Sequence, residues 1–199
     1  MPTMLAFDLA TVMGIAYWDN TAGSGMSSVW NFSPRAAART REKDVAELRF
    51  KLFADKLKAF EPRPDLVIYE DVQGHVGDGI YAAQVYGGFK AILCTYCLQA
   101  SIPYICVHTG TLKKFITGHG NATKAEMIQA MQETYGWTPS CWKTVGGVKV
   151  PDDNEADAAA LLRYGSYWAS LSAVEQLALR TSGKKVKKTK VSKTKLAHT

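Results

Sequence analysis

Cysteine is scarce in this chain of 199 residues, with only Cys94, Cys97, Cys106 and Cys141. Cys94 and Cys97 lie one helical turn apart, and no second close pair exists to complete a zinc site. The four read as core thiols of a reducing cytoplasm. A long uninterrupted apolar run is also missing. The most apolar stretch, residues 81–100, contains Gln84, Lys90 and Gln99, which suit a buried helix and not a lipid-facing one. Residues 1–4 lack the basic segment that precedes the apolar core of a secretory signal. The expectation is a cytoplasmic protein with no membrane partner. Acidic residues are absent from one end: residues 183–199 hold seven lysines and no carboxylate. Of the 24 lysines and arginines, 17 are left for residues 1–182 against 18 acidic groups, so the formal net charge of +6 belongs to the tail.

That tail, with Lys184, Lys185, Lys187 and Lys188 at its head, has too little apolar surface to fold. It reads as a disordered polycation suited to phosphate backbones; a merely solubilising tail is the plainer alternative. The expected organisation is one folded domain over residues 1–182 and a disordered tail over 183–199. A hydrophobic content of 47% supplies a sizeable core.

What the chain does have is a series of apolar runs that end in carboxylates. Residues 4–7 read as a buried strand closing on Asp8. A polar turn with Thr11 and Gly14 follows, and residues 14–18 run back as a second strand. An ionised carboxylate at the end of a central strand needs a cation, hydrogen bonds or water; an exposed turn-forming aspartate is the alternative. Residues 26–32 read as a third strand and residues 36–41 as a basic connection. Val45, Leu48, Leu52, Phe53, Leu57 and Phe60 recur at helical spacing. They predict a helix over residues 41–60, which Pro62 and Pro64 terminate.

Residues 65–70 form the next predicted strand, ending in Glu70 and Asp71. A glycine-rich loop, residues 73–79, carries His75 and Asp78. The apolar helix over residues 80–100 has Gly87 and Gly88 at its middle, where they weaken it locally and admit a second backbone, from the core or from another subunit. Residues 102–107 are a fifth strand. His108 and Thr109 open a short helix with Lys113 and Lys114, and Thr123 to Glu126 is a capping box opening a helix that runs to Tyr135. Residues 137–149 read as a loop. Its Trp137, Trp142, Lys143 and Lys149 suit either a grip on a nucleic-acid strand or packing on the core. A last helix spans residues 152–170. On it Asp153 lies four, and Asn154 three, before Asp157, so they share a face. Ala156, Ala158, Ala159 and Ala160 let it lie close to a sheet. The helix macrodipole accounts for Asp152 and Asp153 but not for Asp157, a turn further in.

Carboxylates thus recur at the ends of strands one and four and at the start of the last helix, positions that converge outside the strand ends of an α/β fold. Grouped carboxylates repel unless divalent cations are present. Such oxygen-rich sites suit magnesium or manganese, and two ions can clamp the oxygens of a phosphodiester displacement. With the polybasic tail, the expected substrate is a nucleic acid.

The chain resembles the RuvC-type Holliday junction resolvases of the RNase H-like superfamily. Phe7-Asp-Leu-Ala-Thr-Val-Met-Gly14 is similar to the family's opening strand and turn, and Val67-Ile-Tyr-Glu-Asp-Val72 to its second acidic strand. Gln84-Val-Tyr-Gly-Gly-Phe-Lys-Ala-Ile92 is similar to the long helix that follows. Lys113, eleven residues before Lys124, matches its paired lysines. Asn154-Glu-Ala-Asp-Ala-Ala-Ala160 matches its final acidic helix. The likeness covers residues 4–163. It implies a dimeric, magnesium-dependent endonuclease that cuts four-way DNA junctions by paired nicks. It carries Asp8, Glu70 and Asp157 over as metal ligands, Lys124 as the nearby cation and Lys113 as a DNA or active-site lysine. Two positions depart from the pattern. Asn154 stands where the family has the first aspartate of its last acidic pair, and Gln73 stands where bacterial members can place an aromatic wedge. A phage or other mobile-element source, and a prokaryotic or phage-infected host cytoplasm, would fit.

The expectation is an α/β protein with an RNase H-like fold, a mixed five-stranded sheet flanked by helices. It acts as a homodimer on branched DNA, with Mg2+ as cofactor, Mn2+ as substitute and two ions per site. Asp8, Glu70, Asp153 and Asp157 are the expected ligands, and Lys124 joins them in catalysis. Asp153 is preferred to Asn154 as fourth ligand because an uncharged amide holds magnesium less strongly. Lys113, Lys114, Lys143, Lys149 and the tail lysines Lys184, Lys185, Lys187 and Lys188 are expected to contact DNA. The rivals are a flap, branched-DNA or RNA–DNA nuclease of the same fold and a non-catalytic junction-binding protein. An ATP-using actin-like or sugar-kinase fold would need a phosphate-binding glycine after Asp8, and Leu9-Ala10-Thr11 has none.

Overall fold

The computed structural model describes residues 1–33, 45–72 and 79–182. Three expectations fall outside the described residues: the basic connection 36–41 with the helix start at 41–44, the loop 73–78 with Gln73, His75 and Asp78, and the tail 183–199 with Lys184, Lys185, Lys187 and Lys188.

In chain order the elements are β1 (Met4–Asp8), β2 (Val12–Asp19), β3 (Ser24–Asn31), α1 (Val45–Lys58), β4 (Leu66–Asp71), α2 (Gly79–Gln99) and β5 (Tyr104–His108). There follow α3 (Thr109–Thr117), α4 (Lys124–Glu133), β6 (Trp142–Val145), β7 (Val148–Pro151), α5 (Asp153–Ser170) and α6 (Ala173–Ser182). Chain contacts divide into two compact units, Met1–Ala169 and Ser170–Thr199. In the second, Ser172 and Glu175 cap the start of α6, the Ser172 N–H donating to the Glu175 carboxylate at 2.9 Å.

The main sheet has the order β3-β2-β1-β4-β5. β1 pairs antiparallel with β2 and parallel with β4, and β5 continues the parallel half. This is the mixed five-stranded sheet flanked by helices that the sequence predicts. Met4, Leu5, Ala6 and Phe7 are all fully buried, so β1 is covered on both faces. Alternation then sorts the side chains. Leu5, Phe7, Val67 and Tyr69 pack with Phe53, Leu57, Phe89 and Leu93 of α1 and α2. Met4, Ala6, Leu66 and Ile68 pack with Leu112, Met127, Ala158, Leu161 and Tyr164 of α3, α4 and α5.

Local chemistry sets the element ends. Thr123 and Glu126 form the reciprocal capping box at the start of α4. His108 caps α3 through its Nδ1, which accepts the Gly110 N–H at 3.2 Å. Two expectations need correction. Residues 137–149 are not wholly a loop, because Trp142 onward is the hairpin β6–β7, turned by Gly146 and Gly147 at φ 57° and 82°. Both φ values favour glycine, and a Gly-Gly pair between two extended runs is a hairpin signal. Helix α6 also follows the helix that had been expected to be the last. Of the glycine pair on α2, Gly88 packs within the chain, since a Cβ there would run into the Phe50 ring, whereas Gly87 faces open space.

Candidate active site

Strand parity places the first two carboxylates. Asp8 continues the Met4, Ala6 series and Glu70 the Leu66, Ile68 series, so both stand on the α5 side at the carboxyl ends of adjacent parallel strands. Asp71, one residue on, has the opposite parity and pairs with Lys90 of α2 at 2.7 Å. The third carboxylate comes from α5, which lies very near the sheet. Gly14, the register partner of Asp8, has no room for a side chain, because a Cβ there would overlap the Asn154 carbonyl. A Cβ on Gly165 would meet Ile68 at 2.7 Å. These approaches bring Asp157 against Asp8 and Glu70.

The electrostatics record the crowding. Burial, then the charges of Asp157 and Glu70 and a hydrogen bond with Glu70, raise the Asp8 carboxyl well above the usual carboxylate range. Burial and Glu70 push Asp157 up to about 7, against the opposing pull of Lys124, Lys113 and Lys143. Three of the expected lysines therefore surround the carboxylates. Lys114, beside Lys113 on α3, is exposed, and Lys149 lies over the Trp142 ring at 5.5 Å on the hairpin.

Asp153 is buried beside these groups, and its two oxygens pair with Lys124 and Lys143. It is Asp152 that caps α5, its Oδ1 accepting the Asn154 N–H at 2.9 Å. Sequence reasoning missed Glu155. This fully buried carboxylate accepts from the Cys141 N–H at 2.7 Å, the Ser27 hydroxyl at 2.7 Å and the Ser140 N–H at 3.1 Å, tying α5 to β3 and to the root of the hairpin. It also missed Gly14 as a spacer, although a glycine inside a strand pattern signals a close approach.

Among the described residues no group of three histidine, cysteine, aspartate or glutamate side chains stands ready-placed to hold a metal ion. The donor set still fits a hard divalent cation. Asp8, Glu70 and Asp157 are grouped oxygen donors, close enough that Asp8 and Asp157 hold protons where carboxylates normally do not, and a cation relieves that repulsion. No described helix is long and apolar enough to cross a membrane.

No protein-family model matches the chain, and no curated protein matches its sequence. Solved structures do match. The Thermus thermophilus RuvC structure is 18% identical over 84% of this chain and 95% of its own, with a TM-score of 0.59. Thermus thermophilus RuvC in complex with Holliday junction substrate gives 18% identity, 85% and 95% coverage and a TM-score of 0.61. The yeast mitochondrial Holliday junction resolvase Ydc2 gives 15% identity, 79% and 75% coverage and a TM-score of 0.50. At these identities the likeness is one of fold, and that fold is RNase H-like.

Proposed function

We propose that the protein is a structure-selective DNA endonuclease that resolves four-way junctions by metal-dependent phosphodiester hydrolysis with paired nicks. The observation that carries this reading is the Asp8, Glu70 and Asp157 cluster, in which crowding raises the proton affinity of Asp8 and Asp157, at the strand ends of a fold shared with a protein solved on a Holliday junction. Asp8, Glu70 and Asp157 would hold Mg2+, with Mn2+ as substitute and two ions per site. When bound, such ions supply Lewis acidity and a water acidified to a nucleophile. Lys124, with Lys113 beside it, offsets charge on the scissile phosphate. Asp153 is the fourth candidate ligand. Its oxygens are neutralised by Lys124 and Lys143, so joining a cation means handing those lysines to the DNA phosphates.

Paired nicks require two sites, hence a homodimer. The outer side of α2, with Ile80, Tyr81 and Leu98 exposed and Gly87 open, is the surface for the second copy. Lys114, Lys149 and the tail lysines Lys184, Lys185, Lys187 and Lys188 add phosphate contacts, and residues 183–199 form a separate basic tail. The test is cleavage of a synthetic four-way junction with magnesium, scored for two opposed cuts beside matched flap and hybrid substrates. Asp8→Asn and Glu70→Gln should each abolish cleavage while the junction gel shift persists. Full cleavage by either variant would refute the site.

A further inference from the structure

The hairpin β6–β7 presents a surface that the catalytic reading does not use. Trp142 is 47% exposed, Val145 56% and Val148 62%, although all three are apolar. β6 and β7 form a two-stranded sheet of their own. Such a ribbon is marginal in water by itself, yet this one is fixed at its root. The Asp152 N–H donates to the Cys141 carbonyl at 3.1 Å, and Glu155 accepts from Cys141 and Ser140 just before β6. The structure therefore holds an apolar tip rigidly in solvent.

The register shows which way the tip faces. Lys143 opposes Val150 and Val145 opposes Val148, so Lys143, Val145, Val148 and Val150 share one side of the ribbon. Lys143 also reaches Asp153, whose other oxygen holds Lys124, the lysine that acts on Asp8 and Asp157. The two tip valines are thus on the catalytic side, about 7 Å beyond Lys143 along the strand. Trp142 and Lys149 occupy the opposite side, the ammonium over the ring. An apolar point flanked by ammonium groups and rooted beside a phosphodiester site complements a strand whose phosphates meet lysines while an opened base step meets aliphatic carbon.

We propose that the tip of β6–β7 is a wedge that enters an opened base step at the branch point of the DNA, Val145 and Val148 filling the gap and Lys143 and Lys149 holding the flanking phosphates. The inference rests on the junction-endonuclease reading and adds to it the element that grips unstacked bases.

The test uses the full chain carrying Asp8→Asn, which blocks cleavage, in magnesium, with a four-way junction bearing 2-aminopurine next to the branch point. Binding should raise the fluorescence of the unstacked base. Adding Val145→Ser and Val148→Ser should remove most of that rise, while gel-shift affinity weakens only by roughly 10- to 100-fold, the range for losing the burial of an aliphatic side chain. Both valines are exposed, so the melting temperature should not move. An undiminished rise in the serine variant overturns the wedge, as does binding by the parent with no rise at all. A fall in dimer fraction with the rise unchanged assigns the tip to contact between copies and also overturns it. A parent that binds no branched DNA overturns the endonuclease reading, and the wedge with it.

Discussion

The two faces of the central sheet are built from different materials. Beneath α1 and α2 the packing is aromatic: Phe7, Phe32, Phe53 and Phe89 interlock at ring-centroid distances of 5.3 to 5.8 Å. Beneath α5 it is thin, with Ala6 and Ala16 of the sheet clustered with Ala158, Ala159 and Ala160, and Gly165 close against Ile68. Large rings bury the most area per residue and dominate core energetics. Small residues bury little but let a helix axis approach the strands. One face therefore secures the fold, and the other sacrifices packing volume to carry Asp157 to Asp8 and Glu70. The consequence is an uneven stability map, with repulsion concentrated where the packing is leanest.

Five substitutions break or sharpen this contrast, in order of expected effect. Phe89→Ala removes a fully buried ring from the aromatic face and should destabilise the chain by about 3–5 kcal/mol in urea unfolding. A loss below 1 kcal/mol would show that this face is not the anchor. Gly14→Ala acts on the thin face. The added methyl must push the first turn of α5 away from the sheet. Overpacking should cost about 1–3 kcal/mol, and a shift of about 1 Å should lower the cleavage rate by roughly 100-fold. Wild-type rate with wild-type stability would remove Gly14 from the positioning of Asp157.

Asp157→Asn should do the opposite to stability. In metal-free protein, the folded state takes a proton at Asp157 more readily than the unfolded chain between the ordinary carboxylate value of 3.8 and about 7. Stability is therefore highest below that window and falls as pH rises through it. In EDTA at pH 7.5 the asparagine variant should melt above wild type, by on the order of 1 kcal/mol, with the gap closing near pH 4. Added magnesium should raise wild type far more than the variant. A variant that melts below wild type in EDTA would mean that the carboxylates do not repel. Asp153→Asn is milder. It should raise the magnesium concentration for half-maximal cleavage a few-fold, with Asn154→Ala milder still. An unchanged magnesium requirement would restrict Asp153 to holding Lys124 and Lys143.

Much of this was legible in the sequence because the residues concerned obey short-range rules. Asp8 and Glu70 each close an apolar run whose parity can be counted, and the alanines after Asp157 announce a helix that must lie close to something. The Thr123–Glu126 box marks the start of α4 within a residue. The hairpin was harder because Trp142–Val145 and Val148–Pro151 are largely exposed, so no buried alternation marks them as strands. Glu155 was harder still. It sits among Asp152, Asp153 and Asp157, all acidic and all near one helix start, and only the fold distinguishes them. One caps the helix, one holds two lysines, one anchors the hairpin and one joins the carboxylate cluster. The partners that make the difference, Ser27, Ser140 and Lys143, arrive from β3 and from the segment ahead of α5, which no local pattern could supply.

The opening of α5 is thus a shared address for four distant parts of the chain. Gly14 abuts residue 154, Ser27 and Ser140 bond to Glu155, and Lys143 and Lys124 meet Asp153. Residues that share an address are not free to drift singly. Among descendants of this sequence, a larger residue at position 14 should arise only with a redrawn start to α5. Loss of the carboxylate at 155 should come with changes at 27 and 140, and neutralisation of 153 with loss of positive charge at 143 or 124. Transplanting the hairpin into another scaffold should likewise fail unless residues 152–157 travel with it.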